Sequence, residues 1–181
     1  MVNMYKTKLT GLQQEILRLF FIKAGAQLNQ RQIANLLDVS APAVLKAMPT
    51  LEKENLVKLK QNKEKRWEIE LNRDSQRVLA LKRADNLKLI YESGLADYLE
   101  KEFAGATIIL FGSYSRGEDL INSDIDIAIV GRKDKKINIA DYEKKLEREI
   151  NINFYSSFKD ISKELKENIF NGIVLFGGIE I

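Results

Sequence analysis

Residues 111–130 read FGSYSRGEDLINSDIDIAIV. The run that leads into them, residues 107–111 (TIILF), is short, apolar and rich in β-branched side chains, the composition of a buried strand ending in a turn. Residues 124–130 then alternate on the strand period, which sets Asp124 and Asp126 on one face and Ile125, Ile127 and Ile129 on the other. Two carboxylates beside a glycine-led turn suit a hard divalent cation, Mg²⁺ or Mn²⁺, held next to a substrate phosphate. Gly112 lets backbone approach that phosphate with no Cβ in the way, and Ser113 supplies a hydroxyl donor. Taken singly, an Asp-x-Asp is often a solvated strand edge and a Gly-Ser often a plain turn. Their order and their strand context together make a motif.

Ten residues separate Ser113 from Asp124. This Gly-Ser, ten-residue, Asp-x-Asp pattern resembles the nucleotidyltransferase superfamily that includes DNA polymerase β, and within it the minimal nucleotidyltransferases. Tyr114-Ser115-Arg116-Gly117-Glu118, and Ser123 ahead of Asp124, are similar to that family's loop. The resemblance covers residues 103–176. It implies that Asp124 and Asp126 hold the metal and carry catalysis, and that Gly112, Ser113, Arg116 and Ser123 bind the nucleoside triphosphate. Active members place a third carboxylate on the next strand, facing the pair. Residues 148–153 (REININ) look like that segment, with Asn151 at the acidic position. An asparagine can coordinate through its carbonyl oxygen but brings no charge and cannot act as a base. Glu149 shares the strand face with Asn151 and Asn153, and would substitute only if the register slipped by two.

Composition narrows the chemistry independently. The 181 residues are 45% hydrophobic and 30% charged, as in a globular protein, with no apolar run of membrane-spanning length. The first residues, MVNMYKTKLT, contain no apolar signal region, so a cytoplasmic location and no membrane partner are expected. Cysteine and histidine are both absent. That excludes a disulfide framework, the usual zinc sites, and nucleophilic catalysis by Ser-His-Asp or Cys-His. Carboxylates, hydroxyls, amides, Lys and Arg remain.

Charge divides the chain. Residues 1–72 hold 12 Lys/Arg against 7 Asp/Glu, a surplus of five, while residues 73–181 hold 17 against 19. A polyanion-binding surface is therefore expected in the first half. There, residues 12–21 carry apolar side chains at helical spacing. Asn29 offers an N-cap to residues 30–37, with Ile33, Leu36 and Leu37 on one face. Ser40 can cap a third helix with Pro42 in its first turn and Val44, Leu45, Met48 and Leu51 inward. Pro49 should kink or break that helix. Strands over 56–59 and 67–71 flank the polar turn QNKEKR, with Trp67 packed at the base of the hairpin.

Three helices and a basic hairpin make a winged helix-turn-helix. The stretch SAPAVLKAMPTLEKENLVKLK resembles DNA-binding domains of prokaryotic transcription regulators. The resemblance implies a third helix in the major groove of double-stranded DNA, with Ser40, Ala41 and Lys46 near its exposed N-terminal part. Lys58, Lys60, Lys63, Lys65 and Arg66 of the wing would lie beside phosphates. Regulators of this kind often act as dimers, so a homodimer is a candidate assembly.

The organisation expected is a winged helix-turn-helix over 1–72, a helical connector over 73–103 capped by Asn72 or Asp74, and a nucleotidyltransferase-like domain over 104–181. That domain is an α/β (α+β) unit, a mixed sheet with helices, including one helix over 159–169. Two functions follow. The first is Mg²⁺-dependent transfer of a nucleoside monophosphate from an NTP to an acceptor hydroxyl; related minimal nucleotidyltransferases modify partner proteins, which makes a protein acceptor plausible. The second is a DNA-binding regulator whose degenerate transferase fold senses NTP without turning it over.

Overall fold

The computed structural model describes residues 9–62 and 67–179. The chain divides into two compact units, Met1–Val78 and Leu79–Ile181.

In the first unit, α1 (Gly11–Ile22), α2 (Gln30–Leu36) and α3 (Ala41–Lys53) precede a hairpin of β1 (Val57–Gln61) and β2 (Trp67–Leu71). Each helix begins where a side chain takes up orphan N–H groups. Thr10 forms a capping box with Gln13, Asn29 forms one with Gln32, and Ser40 accepts from Ala43 N. The strands pair antiparallel from Val57↔Leu71 to Gln61↔Trp67. Ile16, Phe20, Ile33, Val44, Leu51 and Ile69 share one core. This is a winged helix-turn-helix.

Several sequence expectations fail here for identifiable reasons. Leu36 and Leu45 face solvent, 52% and 61% exposed. In α3 the stripe Val44, Ala47, Met48 and Leu51 already fills the core-facing arc, and Leu45 lies one residue's rotation away from it. Pro49 does not break α3, which continues to Lys53 with the proline on its exposed side. Trp67 is 55% exposed at the turn end of the hairpin, opposite Gln61, rather than packed at its base. Neither Asn72 nor Asp74 caps the next helix. Asn72 is buried and donates to Asn55 O at 3.0 Å, Asp74 pairs with Lys58, and Ser75 Oγ accepts from Val78 N.

The second unit holds α5 (Leu95–Glu102), β3 (Thr107–Phe111), α6 (Gly112–Arg116), β4 (Ile125–Val130), α7 (Ala140–Leu146), β5 (Ile150–Tyr155), α8 (Lys163–Phe170) and β6 (Ile173–Phe176), together with most of α4 (Gln76–Glu92). Residues 159–169 are not one helix. A 3₁₀ turn, Phe158–Asp160, capped by Ser157, is separated from α8 by extended Ile161. The strand order is β5-β4-β3-β6, with β3 antiparallel to both β4 and β6, and β5 parallel to β4. Alternation supplies two apolar faces. Ile108, Leu110, Ile125, Ile127 and Ile129 join Ile90, Leu95, Leu99 and Leu146 in one core. Ile109, Phe111, Ala128 and Val130 meet Ile161 and Ile169 in the other. No helix among the described residues is long and apolar enough to cross a membrane.

Candidate functional site

Strand register assembles the site. Phe111, the last residue of β3, pairs with Asp126 of β4, and Asp126 pairs in turn with Asn151 of β5. Gly112 therefore starts α6 directly beside the Asp126 carboxylate. Its φ is +75°, and a Cβ there would sit 3.2 Å from Asp126 Cγ and closer still to Oδ2. Only glycine satisfies both the left-handed backbone and the contact. Ser113, half-buried, is the next residue. The segment expected as a turn is thus a five-residue helix, closed at Gly117 (φ +74°).

Asp124, just ahead of β4, and Asp126 within it both lie beside Asn151 of β5. Asn151 Nδ2 donates to Asp124 Oδ2 at 3.0 Å, and Asn151 pairs with Asp126 across the two strands. Burial raises the Asp126 carboxyl above its ordinary value. The Asn151 hydrogen bond lowers it, the neighbouring Asp124 charge raises it, and Arg116 lowers it. Asn151 stands level with Asp126 with no slip, so the register excludes Glu149 from that level. Among the described residues no three acidic groups converge on one point.

The other expected ligands fall into two groups. Arg116 acts electrostatically on Asp126 and is held by Glu118 at 2.8 Å and Asn168 at 2.9 Å. The Ser123 hydroxyl accepts from Leu120 N at 2.9 Å, so it shapes the loop ahead of Asp124. In the winged helix, Ser40 is engaged as the N-cap of α3, while the Ala41 carbonyl accepts from Gln30. Exposed Lys46 shares the outer stripe of α3 with Pro42, Leu45 and Pro49. Lys58 and Lys60 are held by Asp74 and Glu70, the second pair at 2.5 Å, and Lys60 draws the Glu70 carboxyl below its ordinary value. Lys63, Lys65 and Arg66 lie outside the described residues.

Sequence reading missed Asp119. It is fully buried in the middle of the motif loop, paired with buried Lys82 and 3.6 Å from Arg148 Nη2. A signal was present: on α4, Val78, Lys82, Asn86 and Ile90 recur every four residues, so two polar side chains occupy an inward stripe.

The donor set fits one hard divalent cation shared with a phosphate: two carboxylates on one side, with space kept open by Gly112. No curated protein matches the chain. Solved structures similar to it include a ZitR mutant from Lactococcus lactis (20% identity, TM-score 0.40, covering 57% of this chain and 69% of that one). Another is the MepR–DNA complex of Staphylococcus aureus (21% identity, TM-score 0.40, 52% of this chain and 73% of that one). Residues 92–179 match the family model described as nucleotidyltransferase domain. That match spans the sheet, the Gly-Ser helix and the Asp-x-Asp strand, and the second unit of this chain carries a nucleotidyltransferase domain.

Proposed function

We propose that this protein is a DNA-binding regulator whose nucleotidyltransferase domain binds an NTP with its divalent cation and transfers nucleotide slowly or not at all. The observation that carries this is Asn151: an amide faces Asp124 and Asp126 at the level where a third carboxylate would stand. Asp124 and Asp126 would hold Mg²⁺ or Mn²⁺, which when bound neutralises charge on the triphosphate. Gly112 gives the phosphates room, Ser113 offers its hydroxyl, and Arg116 adds positive charge. Asn151 orients the two carboxylates but cannot take a proton from an attacking hydroxyl. With one fewer negative charge, a second cation close to the first is poorly compensated.

For the first unit, the five-charge surplus of residues 1–72 and the winged helix support binding to double-stranded DNA. Lys46 would approach the major groove beside Ser40 and Ala41, with Lys63, Lys65 and Arg66 beside phosphates. Both ligands fit a cytoplasmic location.

A second reading, transfer of a nucleoside monophosphate to an acceptor hydroxyl, including one on a partner protein, is favoured by the intact Gly112-Ser113 helix and Asp124/Asp126 pair. Calorimetric titration with each of the four Mg²⁺–NTPs, beside Asp124→Ala, tests the shared part. Binding lost in the variant supports the site, and no binding to wild type rejects it. A shift of random-sequence duplex at low salt tests the DNA role; its absence would reassign the first unit.

A further inference from the structure

Between Gly117 and Asp124 the chain forms no regular element, yet it connects the Gly-Ser helix to the Asp-x-Asp strand. Asp119 is the one buried side chain in that stretch. Its carboxylate is 0% exposed and its partner Lys82 is 1% exposed. Asn86 Nδ2 donates to Asp119 Oδ1 at 2.8 Å and to the Tyr114 carbonyl of α6 at 2.9 Å. Lys82 Nζ also lies 6.0 Å from the Tyr114 ring centre, and Arg148 Nη2 stands 3.6 Å from Asp119 Oδ2. Next to this cluster, Gly117 packs on α4 so closely that a Cβ would come within 2.7 Å of Arg83 N.

We infer that Lys82, Asn86 and Arg148 are positioning residues for the nucleotide site, acting through Asp119. The cluster joins the segments that carry the site: Tyr114 belongs to the Gly-Ser helix, Asp119 to the loop before Asp124, and Arg148 lies two residues before the strand that holds Asn151. A buried ion pair is a poor source of net stability compared with apolar packing, but removing one partner strands the other charge. Such a cluster therefore specifies one loop conformation, and this loop sets the distance between the phosphate-binding turn and the metal carboxylates. Lys82 and Asn86 occupy positions on the inward stripe of α4 where leucine would otherwise serve, consistent with a role beyond packing. Its consequence for nucleotide affinity rests on the function proposed above; the fixing of the loop does not.

The test compares wild type, Lys82→Met, Lys82→Arg and Asn86→Ala by hydrogen exchange of residues 112–124 and by titration with the four Mg²⁺–NTPs. Lys82→Met should raise exchange in 112–124 while β3 and β4 stay protected, weaken nucleotide binding by about tenfold, the scale of a lost charged hydrogen bond, and be partly rescued by Lys82→Arg. Asn86→Ala strands no charge and reads the same segment if Lys82→Met does not fold. Exchange unchanged, or raised equally throughout the unit, overturns the inference. If wild type binds no nucleotide, the proposed function falls, and exchange alone still decides whether the cluster fixes the loop.

Discussion

Asn151 Nδ2 donates to Asp124 Oδ2 at 3.0 Å, and the same side chain stands in register with Asp126. An NH₂ group beside the two carboxylates offsets part of the repulsion between them. A carboxylate at that position would have the opposite effect and demand a cation.

Gly112→Ala should be among the most damaging single changes in the second unit. Alanine at a φ of +75° is strained, and its Cβ would meet the Asp126 carboxylate. The expected loss is about 1–3 kcal/mol of stability, the size of local backbone strain, together with loss of nucleotide binding. Urea unfolding and calorimetry of the variant measure the two effects; wild-type values for both would mean that the turn is not held as described.

Asp126 gives a pH signature in chelator-treated protein. Burial holds its carboxyl above the ordinary value. Between the unfolded and folded pKa the native state binds more protons than the unfolded chain, so stability falls as pH rises through that window and stays lower above it. Asp126→Asn removes the ionisation and should melt higher than wild type at neutral pH, the gap closing below the ordinary aspartate pKa of about 3.9. Added Mg²⁺ should favour wild type alone. Identical melting curves at every pH would contradict the burial of this carboxylate.

How much of this was legible in the sequence depended on the kind of signal. Local chemistry read well: the Asn29 and Ser40 caps and the strands around residues 107–111 and 124–130 followed from residue type, period and spacing, and the level of Asn151 from the family resemblance. Burial read less well. Leu36, Leu45 and Trp67 are apolar by composition, but their exposure depends on which neighbours fill the core arc first. Asp119 was hidden because its partners Lys82, Asn86 and Arg148 are remote in sequence. Period alone cannot tell a buried lysine from a solvated one.

The orientation of α3 makes a stability contrast. Leu51 is fully buried and Leu45 faces solvent. Leu51→Ala should cost about 2–5 kcal/mol, as cavity-forming core changes do, whereas Leu45→Ala should stay within about 0.5 kcal/mol. Denaturant midpoints for the two variants decide it. Equal losses would mean that α3 is rotated.

For DNA, pairing separates the lysines. Asp74 and Glu70 hold Lys58 and Lys60, so alanine at either should leave the salt dependence of duplex binding nearly unchanged. Lys46→Ala should reduce the slope of log K against log salt by about one if it neutralises a phosphate, and the Lys63, Lys65 and Arg66 triple substitution by about one for each contact. Fluorescence anisotropy over a salt series gives the slopes. A large change from Lys60→Ala with none from Lys46→Ala would invert the interface.

The most direct measurement is label transfer and pyrophosphate release from Mg²⁺–NTP by wild type, Asn151→Asp and Asp126→Ala, with cell lysate as the source of acceptors. Wild type is expected to bind nucleotide and release little pyrophosphate. Asn151→Asp, nearly isosteric and solvent-exposed, should gain up to roughly 10²–10⁴-fold, the contribution of a general base. Rapid wild-type turnover that Asp126→Ala abolishes and Asn151→Asp does not increase would contradict the regulator reading and make this chain an enzyme with its site already complete.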